Sequence, residues 1–259
     1  MNRTGALIAL AVAAVVGLVF GICPELDLAF TGLFFHPTGD PHWLGSGAWE
    51  EAMRVAARWL IALIVAPAFV AIFAKLVWPR LPLLLPGRAA VLMIATLALA
   101  PGLVTNTILK DHWGRPRPGE VTAFNGEDQL QFMPWWDPRG ACPKNCSFVA
   151  GEPSGAFWTL APAMIAPPAW RVLATSAALL FGAALGLLRI SAGGHFFTDV
   201  VFAGVFTFLM IWLVHGLIYR WRPTRITDRT VGRVLERAVV PLQRAATWIA
   251  GRISRADTP

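Results

Sequence analysis

Residues Phe197 to Leu217 read FTDVVFAGVFTFLMIWLVHGL, and Asp199 is the one Asp, Glu, Lys or Arg among them. At 1.5 Å per residue, roughly 20 apolar residues cross about 30 Å of hydrocarbon, so this stretch predicts a membrane-spanning helix. Asp199 lies one turn inside it, where an unpaired carboxylate is costly. Further apolar stretches run from about Ala6 to Ile22, Arg58 to Val77, Ala89 to Leu109, Gly155 to Trp170 and Val172 to Leu188. The last two are separated only by a turn around Pro167, Pro168 and Arg171, which predicts a helical hairpin. The expected fold class is all-α, a six-transmembrane helical bundle.

Composition agrees. Of 259 residues, 56% are hydrophobic and 14% are charged, against about 25% charged in soluble domains. The 20 Pro and 23 Gly fall among long apolar runs, which argues against disorder. The first stretch follows Arg3 like a signal peptide, but no A-x-A-like site closes it and CPELDLAF, Cys23 to Phe30, comes next. It reads as a retained helix.

Six spans put both termini on one side. That side receives Arg3, Lys75, Arg80, Arg88, Arg171 and nine arginines from Arg220 to Arg255, against Asp228, Glu236 and Asp257. The other side has the remaining eight basic and 12 acidic residues. Both termini are therefore expected in the cytoplasm, and the net charge of +7 is mainly a topology signal rather than a sign of nucleic acid as a partner. Two units are expected, a membrane domain over 1–218 and a basic tail over 219–259. In the tail Val231, Val234, Leu235, Ala238 and Val239 alternate with arginines, as in an amphipathic helix on the cytoplasmic membrane surface.

Cys142 and Cys146 lie in ACPKNCSF, in the loop between the third and fourth spans, outside the cytoplasm on this reading. A short disulfide is expected there, with free thiols the alternative; a zinc site would need further ligands that the loop does not offer. Cys23 reads as a packed or interfacial thiol.

Polar chemistry concentrates at the outer helix ends, in KDHWGRPRP (Lys110 to Pro118), GEPSGAF (Gly151 to Phe157) and RISAGGHFFTD (Arg189 to Asp199). Lys110, Arg117 and Arg189 offer fixed positive charge for a phosphoryl group, and arginine grips two oxygens at once. Ser154 and the backbone around Gly155 sit at a predicted helix N-terminus, where free N–H groups favour phosphate. Capping is an equal role for Ser154. His195 and Asp199 are four residues apart. An imidazole with one unprotonated nitrogen is a competent phosphoryl nucleophile, and a carboxylate on its other nitrogen fixes the tautomer. A plain packing contact between the two is the structural alternative, as ordinary headgroup-facing charge is for Lys110, Arg115 and Arg117. No P-loop, dinucleotide fingerprint or metal-ligand cluster appears, so no cofactor or metal is indicated.

With these segments the chain resembles the type 2 phosphatidic acid phosphatase superfamily, whose membrane members carry six helices and three signatures. Lys110, Arg117 and Pro118 match the first; Pro153, Ser154 and Gly155 match part of the second; Arg189, His195 and Asp199 match the third. Leu188 stands where the third pattern has Ser, and Ala156 where the second has His. The resemblance covers residues 6–218. It implies that His195 attacks phosphorus, Asp199 orients it, and Lys110, Arg117, Ser154 and Arg189 hold the oxygens, with a phosphohistidine then hydrolysed by water. Ala156 cannot protonate the leaving oxygen, which leaves His112, Glu152 or no side-chain acid. The segment around CSFVAGEPSGAFW resembles a bacterial subgroup of lipid A phosphatases, which implies an inner-membrane enzyme with its active site facing the periplasm and a phosphorylated lipid of the bilayer as partner. Undecaprenyl diphosphate hydrolysis is the rival activity, and a noncatalytic lipid-binding or transport protein the rival class.

Overall fold

A computed structural model describes residues 3–38 and 42–238. The fold is mostly helical, as expected. Helix α1 (Arg3–Ile22) is followed by the short α2 (Glu25–Gly32), a two-stranded antiparallel hairpin of β1 (Phe35–His36) and β2 (His42–Trp43), and the long α3 (Ala48–Val77). Helix α4 (Gly87–Leu97) runs on through a π-helical stretch, Ala98–Leu109, into the single turn α5 (Lys110–His112). A long irregular segment then leads to α6 (Gly151–Phe157), α7 (Leu160–Ile165), α8 (Pro168–Ser191) and α9 (Phe197–His215).

Among the described residues five helical stretches are long and apolar enough to cross a membrane: 3–22, 48–77, 87–112, 168–191 and 197–220. The protein is thus a multi-pass membrane protein. The fourth expected span, Gly155 to Trp170, does not form as one helix but as α6 and α7, with a turn at Trp158 and Thr159. Proline explains the break: a ring inside a helix clashes with the carbonyl four residues earlier, and for Pro162 that carbonyl belongs to Trp158. The freed Trp158 carbonyl instead accepts from the Ala161 N–H at 2.8 Å.

Irregular backbone at membrane depth is tolerated where protein covers it, and this turn is covered. Trp158 is fully buried and donates through Nε1 to the Thr96 hydroxyl at 2.9 Å and the Met93 carbonyl at 3.2 Å. Around it Val65, Ala68, Ala90, Met93, Leu160 and Ile211 form the main core, joining α3, α4, α7 and α9.

The π-helical stretch has the same cause. The ring of Pro101 opposes the carbonyl of Leu97, where the α-helical repeat ends. Asn106 Nδ2 and Thr107 Oγ1 then donate five residues back, to the carbonyls of Pro101 and Gly102 at 2.6 and 3.2 Å. The wider turns end at Lys110, so this geometry sets where its side chain leaves the helix.

The tail docks on the opposite end of the bundle. Residues 228–238 are helical. Asp228 accepts from the Arg88 N–H at 2.9 Å and pairs with its guanidinium, Glu236 pairs with buried Lys75 at 2.6 Å, and Val231 is buried. Val234 is exposed, and Val239 with the rest of the basic tail lies outside the described residues.

Candidate active site

The three polar segments meet at the end of the bundle away from the tail. A cavity of about 320 Å³ is lined by Lys110, Arg117, Glu152, Gly155, Arg189 and His195, together with Arg54 and Arg58 of α3 and Asn145. The chain reverses tightly from α8 into α9 to bring His195 there. Gly193 has φ +68°, a left-handed conformation that suits glycine, and a Cβ on Gly194 would lie 2.3 Å from Arg189 Nη2.

His195 is buried, and its Nδ1 lies 2.8 Å from the Ser147 backbone carbonyl oxygen. A carbonyl only accepts, so Nδ1 carries the proton and Nε2 keeps its lone pair. Burial, reinforced by the charges of Lys110 and Arg117 and opposed by Asp199, pulls the imidazole down to about 4. The ring is therefore neutral at neutral pH.

Asp199 is fully buried and serves several donors. It accepts from the Ser147 hydroxyl at 2.5 Å, the Phe196 N–H at 2.8 Å and Arg115 Nη1 at 2.5 Å, while His195 Nδ1 is 3.8 Å away. The Phe196 contact caps α9. Arg115, itself fully buried, reaches on to Asp27 of α2 at 2.8 Å and to the Thr198 hydroxyl at 2.8 Å, and lies 4.4 Å over the Phe196 ring. Asp27 in turn accepts from the Thr198 N–H at 3.1 Å. Such a buried triad is held by its full set of hydrogen bonds, since each charge alone would be strongly disfavoured.

The cations of the cavity are partly compensated. Arg189 pairs with Glu50 of α3 and lies 3.2 Å from Glu152. Glu152 also pairs with Arg54 at 2.9 Å and Arg58 at 3.0 Å, and both arginines reach Glu51. Glu120 lies 4.0 Å from Arg117 Nε, so five basic side chains face four glutamates, a net positive charge that suits a phosphate group. Arg117 donates to the Asn145 carbonyl through Nη2 at 2.7 Å and Nε at 3.2 Å. Burial pulls it below its ordinary value, yet a guanidinium stays charged in a protein.

Other expected residues stand elsewhere. The Ser154 hydroxyl is fully buried between Thr105 (3.1 Å) and Thr207 (2.8 Å), tying α6 to the π-helical stretch and α9 rather than lining the cavity. His112 is exposed, outside the cavity lining, with Nδ1 3.0 Å from the Ile108 carbonyl oxygen. Ala156 is buried against Ala57 and Leu185. Cys142 and Cys146 form the expected disulfide, and Cys23 is free and exposed. Among the described residues no group of three or more His, Cys, Asp or Glu could hold a metal ion.

Sequence reasoning missed Glu50, Arg54 and Arg58, whose signal is the spacing of four residues on one helical face at the end of an apolar span. It also missed Asp27, Asn145 and Ser147. Of these, Asn145 and Ser147 act largely through backbone carbonyls, which leave no mark in sequence.

The PAP2 superfamily profile matches residues 89–225, from α4 to just beyond α9 and thus across all three polar segments. A lipid A 4'-phosphatase of Francisella tularensis subsp. novicida (strain U112) is 36% identical over 222 residues, covering 85% of this chain and 98% of the relative. The chain belongs to the PAP2 superfamily. Two further relatives, lipid A 4'-phosphatases of Rhizobium leguminosarum and Rhizobium etli, are 36% identical over 116 residues and 35% over 107. These cover 44% and 41% of this chain, and 49% and 41% of the relatives. No solved structure matches the chain.

Proposed function

We propose that this PAP2 protein is a metal-independent membrane phosphatase that removes a phosphate monoester from lipid A at the periplasmic face of a bacterial inner membrane. The observation that carries the reading is the meeting of Lys110, Arg117, Arg189 and His195 around one cavity, supported by the lipid A 4'-phosphatase relative that matches along nearly its whole length. The charge asymmetry of the loops supports cytoplasmic termini. The broken pair α6–α7 completes a bundle of six crossings.

Lys110, Arg117 and Arg189 hold the nonbridging oxygens, and the surplus positive charge stabilises the transition state. His195 Nε2 forms the N–P bond as the P–O bond to the sugar breaks. Ser147 and Asp199 fix the ring and support the positive charge it acquires. Glu152 already accepts from guanidinium groups and His112 lies outside the cavity, so the leaving alkoxide takes its proton from solvent. Water then attacks phosphorus, the N–P bond breaks, and neutral imidazole and inorganic phosphate are released.

Detergent-purified protein assayed for phosphate release from lipid A, undecaprenyl diphosphate, phosphatidylglycerophosphate and phosphatidate at matched concentrations tests the substrate. Preferential release from lipid A is expected. Preference for undecaprenyl diphosphate would overturn the assignment, and phosphate binding without release from any of them would make the protein a lipid binder.

A further inference from the structure

We propose that the disulfide-closed loop from Cys142 to Ser147 is a positioning element of the active site, one that holds both the nucleophile His195 and the phosphate-gripping Arg117 through its backbone. The proposal rests on the phosphatase reading for the roles of those two residues. Cys146 stands between the two carbonyls concerned. On one side the Asn145 carbonyl accepts from Arg117 at 2.7 and 3.2 Å. On the other the Ser147 carbonyl accepts from His195 Nδ1 at 2.8 Å, while the Ser147 hydroxyl donates to Asp199 at 2.5 Å.

The same loop is laid along the first polar segment. Cys142 N–H donates to the Gly114 carbonyl at 3.1 Å, Cys146 N–H to the Lys110 carbonyl at 2.8 Å and Ser147 N–H to the Arg115 carbonyl at 2.8 Å. Asn145 has φ +55°, the left-handed conformation that asparagine tolerates better than most residues, and this turn aims neighbouring carbonyls in different directions. The disulfide closes a ring with a sequence separation of only four residues. A ring that short removes less chain entropy than a long one, so its main consequence is local, in fixing where these carbonyls point. The bond itself is buried, with Cys142 8% and Cys146 0% exposed.

Releasing the loop removes the acceptor that fixes the His195 tautomer and admits water to a ring whose neutrality comes mainly from burial. The charged groups around that ring and its cavity are Asp199 from α9, Lys110 and Arg117 from the first polar segment, Glu152 from α6, Arg189 from α8, and Arg54 and Arg58 from α3. Removing the disulfide replaces none of these residues, and of them Arg117 is the one that donates to a carbonyl of the loop. A change in His195 titration therefore reports the loop.

The test compares the oxidised wild type with Cys142→Ala/Cys146→Ala, reading kcat/KM and the titration of His195 by imidazole nitrogen NMR. The variant should lose roughly tenfold or more in kcat/KM, on lipid A and on para-nitrophenyl phosphate alike. Its His195 should titrate above the wild-type value, moving from about 4 toward the ordinary 6.5. Should the double variant fail to fold, dithiothreitol reduction of the folded protein substitutes for it: two electrons and two protons pass to the cystine, giving two thiols and cyclic oxidised dithiothreitol. Thiol titration then confirms two thiols beyond Cys23, and reoxidation should restore rate and titration together. Ser147→Ala keeps the carbonyl and should lose only a few-fold. Unchanged kcat/KM and unchanged His195 titration without the disulfide would overturn the proposal. Absence of turnover in the oxidised wild type would instead sink the phosphatase reading, while the NMR titration still decides the link between loop and ring.

Discussion

His195 Nδ1 stands 2.8 Å from the backbone carbonyl oxygen of Ser147 and 3.8 Å from the nearer carboxylate oxygen of Asp199. The His–Asp pair read from sequence is therefore mediated by a third residue. Ser147 meets the ring with its carbonyl and the carboxylate with its hydroxyl, so both partners are fixed from one point. Asp199 contributes its charge at short range and caps α9, while a backbone atom holds the tautomer.

The buried Asp27–Arg115–Asp199 triad ties α2 to the N-terminal end of α9. Asp27→Ala leaves part of the Arg115 charge without a partner in a dry site, and breaking such a pair costs roughly 3–5 kcal/mol. Thermal unfolding in detergent should show a clear drop in melting temperature, smaller for Asp27→Asn, which keeps some of the hydrogen bonds. An unchanged melting temperature for Asp27→Ala would count against the triad.

Ser154→Ala separates packing from phosphate binding. With its hydroxyl between Thr105 and Thr207, the variant should lose stability, on the order of 1–3 kcal/mol for the polar partners left unsatisfied, and keep kcat/KM within about threefold. Loss of activity by roughly 100-fold at unchanged stability, the scale of a lost oxyanion donor, would return the hydroxyl to the phosphate.

Leaving-group dependence tests the role of Glu152. Because its carboxylate organises Arg54, Arg58 and Arg189, Glu152→Gln should slow lipid A and para-nitrophenyl phosphate hydrolysis by similar factors of roughly ten or more, and His112→Ala should slow neither. A general acid would show a loss of roughly 100-fold or more confined to the alkoxide leaving group. That pattern in either variant would identify the acid and contradict proton supply from solvent.

The membrane helices were legible because length and hydropathy act over some 20 residues at a time, and the three polar segments because their charges interrupt that pattern at helix ends. The break at Trp158 was less visible: Pro162 marks it, but proline is tolerated in membrane helices where neighbours satisfy the freed groups, and only packing shows whether a helix bends or splits. Arg54 and Arg58 were hidden for a different reason. Charge at the end of an apolar span ordinarily faces headgroups, and it takes the tertiary arrangement to turn these two onto Glu152. Arg115 looked like another such charge, yet it is the most enclosed cation of the site because Asp27, far away in sequence, meets it.

The central claim is that His195 becomes phosphorylated during turnover of lipid A. Protein incubated briefly with lipid A labelled with 32P at the scissile phosphate, quenched in base to preserve phosphohistidine, and mapped by mass spectrometry should carry one acid-labile phosphate, on His195. His195→Ala should carry none and release no phosphate, while retaining the wild-type helical content. Phosphate release by His195→Ala at the wild-type rate, or label on another residue that the substitution leaves in place, would contradict the account.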